Sequence, residues 1–227
     1  MARRKNMARR RVILGNTFRL IRENGMDNVS LQMIAEKSNI SKSLLQSYYP
    51  HKSKLINDIV LNLFTTLGSQ VDSYDQIMQS SSYAHMKAFI YTIGILGIND
   101  EGLERIISQA FTNNDTLDSW GVMLFEWINK IHLFDDVNIP KNELESGISF
   151  ISIGLGRLYH ERKKYNLTAE QLADYATSSL MFSFCHCDPA EIKQALKDGH
   201  DIIESADMEK VHAAIDSMFD EDKEIIS

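Results

Sequence analysis

Apolar residues recur at helical spacing along almost the whole chain, and no run alternates in the way a half-buried strand does. The first apolar stripe stops at Gly25, where a glycine cap ends a helix of roughly four turns. Ser30 and Ser41 stand where the N-caps of two short helices are expected, and Pro50 ends the second helix. The pattern predicts an all-α protein, with further helices at 52–67, 82–97, 100–111, 115–133, 141–164, 168–186, 189–198 and 206–219.

Several of these helices have local start signals. Thr168 followed by Gln171 has the spacing of a capping box, and Asp188 followed by Pro189 reads as an N-cap with proline at the first helical position. Asn39 stands between the two short helices, where a left-handed turn is required. These signals support the predicted helix boundaries independently of the apolar pattern.

The composition indicates soluble globular structure, but the charge is divided unevenly. Of 227 residues, 44% are hydrophobic and 24% charged, and the net charge of −7 alone would argue against a nucleic-acid partner. Residues 1–60 contain twelve Lys or Arg and four Asp or Glu, a net +8, whereas residues 61–227 carry −15. This division predicts a basic domain at 1–60 that meets a polyanion and an acidic domain at 61–227. The alternative for the basic part is a solvated tail.

Targeting signals are weak. The stretch Val12–Ile21 lacks the apolar core of a secretion signal, and no run approaches the ~18 apolar residues of a membrane span. Cys185 and Cys187 are too few and too close for a disulfide framework. We therefore expect a cytoplasmic protein.

The segment around Ser38-Asn39-Ile40 matches a helix-turn-helix, whose second helix enters the major groove of DNA. Small and apolar residues in both helices point inward to hold the pair together. The outward face is then left to short or flexible polar side chains suited to base edges and phosphates, Lys42, Ser43, Gln46 and Ser47.

The run from Arg11 to Leu55 resembles the DNA-binding domain of the tetracycline-repressor (TetR) family of bacterial regulators. The matching segments occur in order: LIRENG at 20–25, VSLQMIA at 29–35, ISK at 40–42 and YPHKSKL at 49–55. The chain departs from the family where Asn39 replaces a usual glycine, and where Gln46 and Ser47 replace an aromatic pair. Asn39 still permits the turn, and the other two imply a different operator sequence or a weaker contact. Gln pairs bidentately with adenine, so Gln46 is the best candidate for a direct base reader.

The resemblance implies phosphate contacts by Ser30, Ser41, Tyr48 and Lys52, beside the groove-facing residues named above. The two serines have an alternative role as N-caps alone. Tyr49 is expected in the core. The basic N-terminal arm either follows the DNA or is disordered in the free protein; it comprises Arg3, Arg4, Lys5, Arg9, Arg10 and Arg11.

In this family the remaining chain dimerises and holds a small-molecule effector. We expect the dimer to form through helices 141–164 and 168–186, because Ser149, Ser152 and Gly156 make a small-residue stripe. Ile148, Ile151 and Leu155 lie alongside that stripe. Helix 168–186 adds Leu172, Tyr175, Ser179 and Phe182, and an intramolecular core is the alternative reading. Aromatic and methionine residues give candidate ligand contacts for an apolar or aromatic compound, with ordinary core as the alternative: Phe89, Tyr91, Met123 and Trp127.

Together these features predict a DNA-binding transcriptional regulator, a homodimeric repressor that a small-molecule effector releases from a palindromic operator. No cofactor, membrane or catalytic activity is expected. The alternatives are a helical adaptor whose helix-turn-helix contacts protein, and a helical metalloenzyme. The metalloenzyme rests on Glu209-x-x-His212, half of a di-metal motif, and on the tightly spaced segment from Cys185 to Asp188.

Overall fold

The computed structural model describes residues 6–74, 80–112, 124–130, 132–135 and 137–220, and for 109–112 the helical backbone alone. Every regular element in these ranges is helical, which confirms the all-α prediction. The helices are α1 (Met7–Asn24), α2 (Leu31–Lys37), α3 (Lys42–Tyr48), α4 (Lys52–Tyr74), α5 (Ser82–Asn99), α6 (Glu101–Thr112), α7 (124–130), α8 (Lys141–Tyr165), α9 (Ala169–Ser183), α10 (Pro189–Ser205) and α11 (Met208–Asp216).

The local start and stop signals act as predicted. The Ser30 and Ser41 hydroxyls accept hydrogen bonds from the backbone N–H groups of the third residues of α2 and α3. Gly25 has φ 81° after α1, and Asn39 has φ 52° between α2 and α3. Both are conformations that glycine or asparagine adopts at low cost. The capping boxes at the starts of α9 and α10 are formed as well.

Several helix boundaries differ from the sequence prediction, among them the end of α4, which continues to Tyr74 rather than stopping at residue 67. Helix α10 continues through Gly199 to Ser205 rather than stopping at residue 198. Gly199 lies against α5, where an added Cβ would be 2.8 Å from Cδ of Lys87, so close packing explains this glycine inside the helix. Helix α9 ends at Ser183, and α11 occupies Met208–Asp216 within the predicted 206–219. Of the predicted helix 115–133, residues 115–123 lie outside the described residues, and 132–135 form a turn with His132 at φ 60°.

Helices α1 to α3 and the first turns of α4 share a small core that includes Ile34, Leu45 and Tyr49. Helix α4 runs without a break past residue 60 and carries the apolar face from this N-terminal part into the larger helical part. There α5 lies between α9 and α10 and also contacts α4 and α6, while α8 packs on α6 and α9. The basic N-terminal helices are therefore joined to the acidic part by a continuous helix.

Two further contacts join the N-terminal helices to the rest of the chain. Helix α1 packs against α6, and α11 packs against α4. Beyond α11, the Phe219 ring meets the Phe18 ring edge-on at 5.9 Å between centroids. Arg22 of α1 bridges Asp100, before α6, and Asp216 of α11, with both N–O distances at 2.5 Å. The orientation of α1 is thus held from two sides.

Candidate nucleic-acid interface and ligand cavity

Helix α3 presents a polar face to solvent. Lys42, Ser43, Gln46 and Ser47 are all exposed, whereas Leu45 is fully buried and α3 packs against α2. The Ser47 hydroxyl donates to the Leu44 carbonyl at 2.7 Å, which leaves its lone pairs outward. The structure therefore brings the four predicted groove-facing residues together on one exposed helix face.

The predicted phosphate contacts surround this face in different environments. Ser30 and Ser41 are exposed and both act as N-caps; the Ser41 hydroxyl also lies 3.1 Å from the Ser43 hydroxyl. Lys52 donates from Nζ to the Met26 carbonyl, and burial lowers the pKa of its ammonium group. Tyr48 is only 8% exposed, so most of its ring contributes to the core. Ser30 and Ser41 are thus exposed at helix N-termini, whereas Lys52 is half-buried and its ammonium is held by a backbone carbonyl.

The N-terminal arm divides into structural and exposed cations. Arg10 donates from Nε to the Tyr49 hydroxyl at 2.8 Å, and its Nη2 pairs with Asp58 at 2.5 Å. Both members of this ion pair have largely buried side chains, so Arg10 ties α1 to α4 and does not extend toward DNA. Tyr49 is 1% exposed, as expected of a core residue, and burial raises the pKa of its hydroxyl. Arg9 is exposed, while Arg3, Arg4 and Lys5 lie outside the described residues.

A cavity of about 80 Å³ lies inside the larger helical part. Its walls come from α4, α5, α7, α8 and α9, and nearly all of the lining surface is apolar. Two of the predicted ligand contacts, Phe89 and Trp127, form one wall, with their rings stacked at 5.0 Å between centroids. The described lining residues are Phe64, Met86, Phe89, Ile90, Ile93, Gly94, Leu124, Trp127, Ile128, Leu133, Ile148, Ile151, Ser152, Leu155, Tyr159, Leu172 and Leu180.

The remaining two predicted ligand contacts have different outcomes. Tyr91 does not line the cavity, because residues two apart on a helix do not share a face and Phe89 is the one that points inward. Met123 lies outside the described residues. Tyr159 and Phe64 also line the cavity, which the sequence did not predict. The apolar spacing in α4 indicates that the neighbouring Leu63 and Leu67 lie on one side of that helix, but it does not single out Phe64.

The polar groups on the cavity wall have partners elsewhere. Trp127 donates from Nε1 to the Thr65 hydroxyl at 3.1 Å, and the Ser152 hydroxyl donates to the Ile148 carbonyl at 2.7 Å. The Tyr159 hydroxyl donates to Glu104 of α6, and burial together with that carboxylate raises its pKa. The described part of the lining therefore favours an apolar occupant.

A chain of polar contacts runs from the cavity wall to α1. Glu104, which accepts from Tyr159, also pairs with the buried Arg162 at 2.8 Å. The next residue, Arg105, donates to the carbonyls of Arg22 and Glu23 at 2.6 and 2.8 Å. These carbonyls end α1, where a cation is favourable. Helix α6 thus touches the cavity wall with one residue and the N-terminal helices with the next.

The proposed dimer helices have an exposed apolar face that matches the prediction in α9 and only partly in α8. Tyr175 and Phe182 of α9 are exposed as the prediction requires. In α8, Ser149 is exposed, but Ile148, Ile151 and Gly156 are buried, so most of the predicted stripe faces the core and the cavity. The exposed face instead carries large apolar side chains that are 48–66% exposed: Phe150 and Ile153 of α8, and Tyr175 and Phe182 of α9. Gly154 lies on the same exposed side of α8, where an added Cβ would meet nothing within 4 Å.

Two other predictions concern metals and membranes. Among the described residues no group of three or more His, Cys, Asp or Glu side chains could hold a metal ion. No described helix is both long enough and apolar enough to cross a bilayer.

Comparisons with known proteins agree with this geometry. Residues 13–59 match the family model for bacterial regulatory proteins of the tetR family. The nucleoid occlusion factor SlmA of Haemophilus ducreyi is 28% identical over 86 residues, which are 38% of this chain and 42% of that protein, so the chain matches under half of this relative.

Solved structures share the fold beyond the N-terminal domain. A TetR transcriptional regulator from Rhodococcus sp. RHA1 covers 79% of this chain and 97% of its own, with a TM-score of 0.57 and 11% identity. Thermus thermophilus FadR, a TetR-family repressor in complex with lauroyl-CoA, covers 76% of this chain and 93% of its own chain, with a TM-score of 0.55 and 14% identity. Residues 13–59 therefore match the helix-turn-helix domain of the tetR family model, and the chain as a whole shares the all-helical fold of these solved structures.

Proposed function

We propose that the protein is a homodimeric transcriptional repressor that binds a palindromic operator through α3 and leaves it when an apolar small molecule enters the cavity. The exposed polar face of α3 is the observation that carries the DNA-binding part. This exposed helix face carries one cation, an amide and two hydroxyls, groups that suit both base edges and phosphates.

Gln46 is the proposed base reader. Its side chain is exposed in the middle of the polar face of α3, and glutamine pairs bidentately with adenine in the major groove. Gln46→Ala should weaken binding to the chain's own promoter fragment by about 1–3 kcal/mol per half-site, with little change on a scrambled fragment. Fluorescence anisotropy with both fragments at one salt concentration measures this. Equal losses on the two fragments would assign Gln46 a role without sequence readout.

The exposed face of α8 and α9 supports a dimer. Large apolar side chains such as Phe150 and Phe182 rarely form a contiguous exposed patch on a monomer, and two antiparallel helix pairs bury such a face well. Phe182→Asp should convert the dimer to a monomer in sedimentation velocity without loss of helical circular dichroism. Ile98→Asp is the matched control, because Ile98 is 42% exposed at the end of α5, away from this face. A Phe182→Asp protein that remains dimeric would contradict the proposed interface.

The cavity supports the effector part of the proposal. Its volume of about 80 Å³ is well below the ~300 Å³ or more of typical ligand pockets, so a ligand of ordinary size has to displace the walls. Tyr159 on that wall holds Glu104, and Arg105 holds the end of α1, so displaced walls would move α6 and change the distance between the two α3 helices. FadR is reported with lauroyl-CoA, an example of a family member that holds a molecule with a long apolar chain.

Arg105 gives a direct test of this connection. Arg105→Met removes the two hydrogen bonds to the carbonyls that end α1 and leaves the cavity lining unchanged. Compounds that bind the wild-type cavity and release DNA should still bind the variant, as measured by isothermal titration calorimetry, but should release DNA less effectively. We expect a reduction of about 5-fold, which corresponds to ~1 kcal/mol of coupling. Unchanged release would show that α6 is not the connection.

A further inference from the structure

The loop between α9 and α10 brings two thiols to one tyrosine. Cys187 Sγ lies 3.7 Å from the Tyr83 hydroxyl and 3.9 Å from the Cys185 carbonyl oxygen. Burial and the nearby Cys185 and Cys187 thiols raise the pKa of that hydroxyl. His186 between them has φ 55°, in the left-handed region, so the backbone turns sharply at the residue that separates the two thiols. Both cysteines are free and half-buried.

The turn is held firmly in place. The backbone N–H of Cys185 donates to the Leu180 carbonyl at 3.1 Å, and that of Cys187 donates to the Met181 carbonyl at 3.0 Å. The Tyr83 ring in turn packs against the Phe134 ring at 5.7 Å between centroids. The dithiol is therefore fixed by backbone hydrogen bonds on one side and by an aromatic pair on the other.

The set of donors limits what this site can bind. The His186 imidazole is exposed and lies 3.7 Å from Glu143, outside the thiol pair. No third cysteine, histidine or carboxylate joins the two sulfurs within the described chain, so ions that require four or more ligands do not fit. Two sulfur ligands suit an acceptor with two open positions and a strong preference for sulfur.

We propose that Cys185 and Cys187 form a binding site for thiophilic acceptors that take two sulfur ligands, represented by monosubstituted arsenic(III) compounds. With phenylarsine oxide, two As–S bonds form, the arsenic–oxygen bond is lost, and both thiol protons leave with the oxygen as water. Arsenic stays trivalent, so the step needs no oxidant or reductant. Burial raises the pKa of the Cys185 thiol, which lowers its thiolate fraction and slows its oxidation by peroxides.

This site lies apart from the cavity, and its test needs neither DNA nor an effector. The reduced full chain is incubated with one equivalent of phenylarsine oxide and analysed by intact mass and by thiol titration. We expect one phenylarsenic unit per chain, loss of both titratable thiols, and displacement by a dithiol but not by a monothiol. Cys185→Ser and Cys187→Ser should each bind at least ~100-fold more weakly, because the second As–S bond no longer forms within the same molecule.

Two comparisons test the role of the fold. A peptide of residues 183–189 contains the same two cysteines without the fixed turn and should bind more weakly than the folded chain. Tyr83→Phe should keep the binding of phenylarsine oxide but lose the change in tyrosine absorbance that accompanies it in the wild type. Single-cysteine variants that bind as tightly as the wild type, or a peptide that matches the protein, would overturn the proposal.

Discussion

Two glycines of α8 distinguish packing within the subunit from packing at its exposed face. A Cβ on Gly147 would lie 2.7 Å from Cδ1 of Leu180 and 2.8 Å from Cγ of Phe184, whereas a Cβ on Gly154 meets nothing within 4 Å. Replacing a mid-helix glycine with alanine stabilises a helix by ~1 kcal/mol, and overpacking a core costs ~1–3 kcal/mol. Gly147→Ala should therefore lower the free energy of unfolding by up to about 2 kcal/mol. Gly154→Ala should raise it by about 1 kcal/mol.

The assay is urea unfolding followed by circular dichroism, with both substitutions made in the Phe182→Asp background so that dimer dissociation does not contribute. Sedimentation of Gly154→Ala alone then reports on the interface, since an added methyl should weaken a dimer in which α8 approaches its partner closely. The packing argument fails if Gly147→Ala is as stable as its parent. It also fails if Gly154→Ala destabilises the monomeric background.

Three further predictions concern ion pairs. Burial opposes ionisation of Asp100, but hydrogen bonds from the Leu103 backbone and from Arg22 lower its pKa, so the Asp100 carboxylate stabilises the fold above pH ~4 and loses this effect as the pH falls further. The difference in free energy of unfolding between wild type and Asp100→Asn should therefore narrow below that pH. A difference that stays constant with pH would contradict this. Arg10→Ala removes the ion-pair partner of the largely buried Asp58 and should lower the free energy of unfolding in urea by about 3 kcal/mol. The control Arg9→Ala, at an exposed position, should lower it by no measurable amount, and equal effects of the two substitutions would refute the structural role of Arg10. Lys87 is 2% exposed and pairs with two carboxylates of α9 at 2.8 and 3.0 Å. Lys87→Met should therefore lower the free energy of unfolding in urea by about 2 kcal/mol. An unchanged free energy of unfolding would show that these ion pairs do not stabilise the fold.

The sequence predicts those features of the fold that depend on neighbouring residues. The caps at Ser30, Ser41 and Thr168 and the turn at Asn39 are local, because each involves a hydrogen bond or a backbone angle within a few residues. The continuation of α10 through Gly199 is not local, because it depends on the contact with Lys87 across two helices. Propensity alone stops the helix at that glycine.

The candidate sites are likewise predictable where they depend on neighbouring residues and not where they depend on contacts distant in sequence. The polar face of α3 was predictable because the inward and outward positions of a short helix are fixed by its apolar residues. The role of Arg10 was not, because its partner Asp58 is distant in sequence and the basic cluster around Arg10 is typical of an exposed arm. In α8 both faces contain apolar residues, so the pattern does not tell which face meets the core and which, with Phe150 and Ile153, meets solvent.

The most direct test of DNA binding by α3 is the salt dependence of affinity for the chain's own promoter fragment, compared between wild type and Lys42→Ala. Lys42 is exposed on the polar side of α3, and each phosphate contact contributes about 0.9 to the slope of log K against log salt. The proposal predicts weaker binding and a slope reduced by about 2 for a dimer, with no change for the exposed Lys163→Ala of α8. Identical affinity and slope for Lys42→Ala and wild type would contradict it.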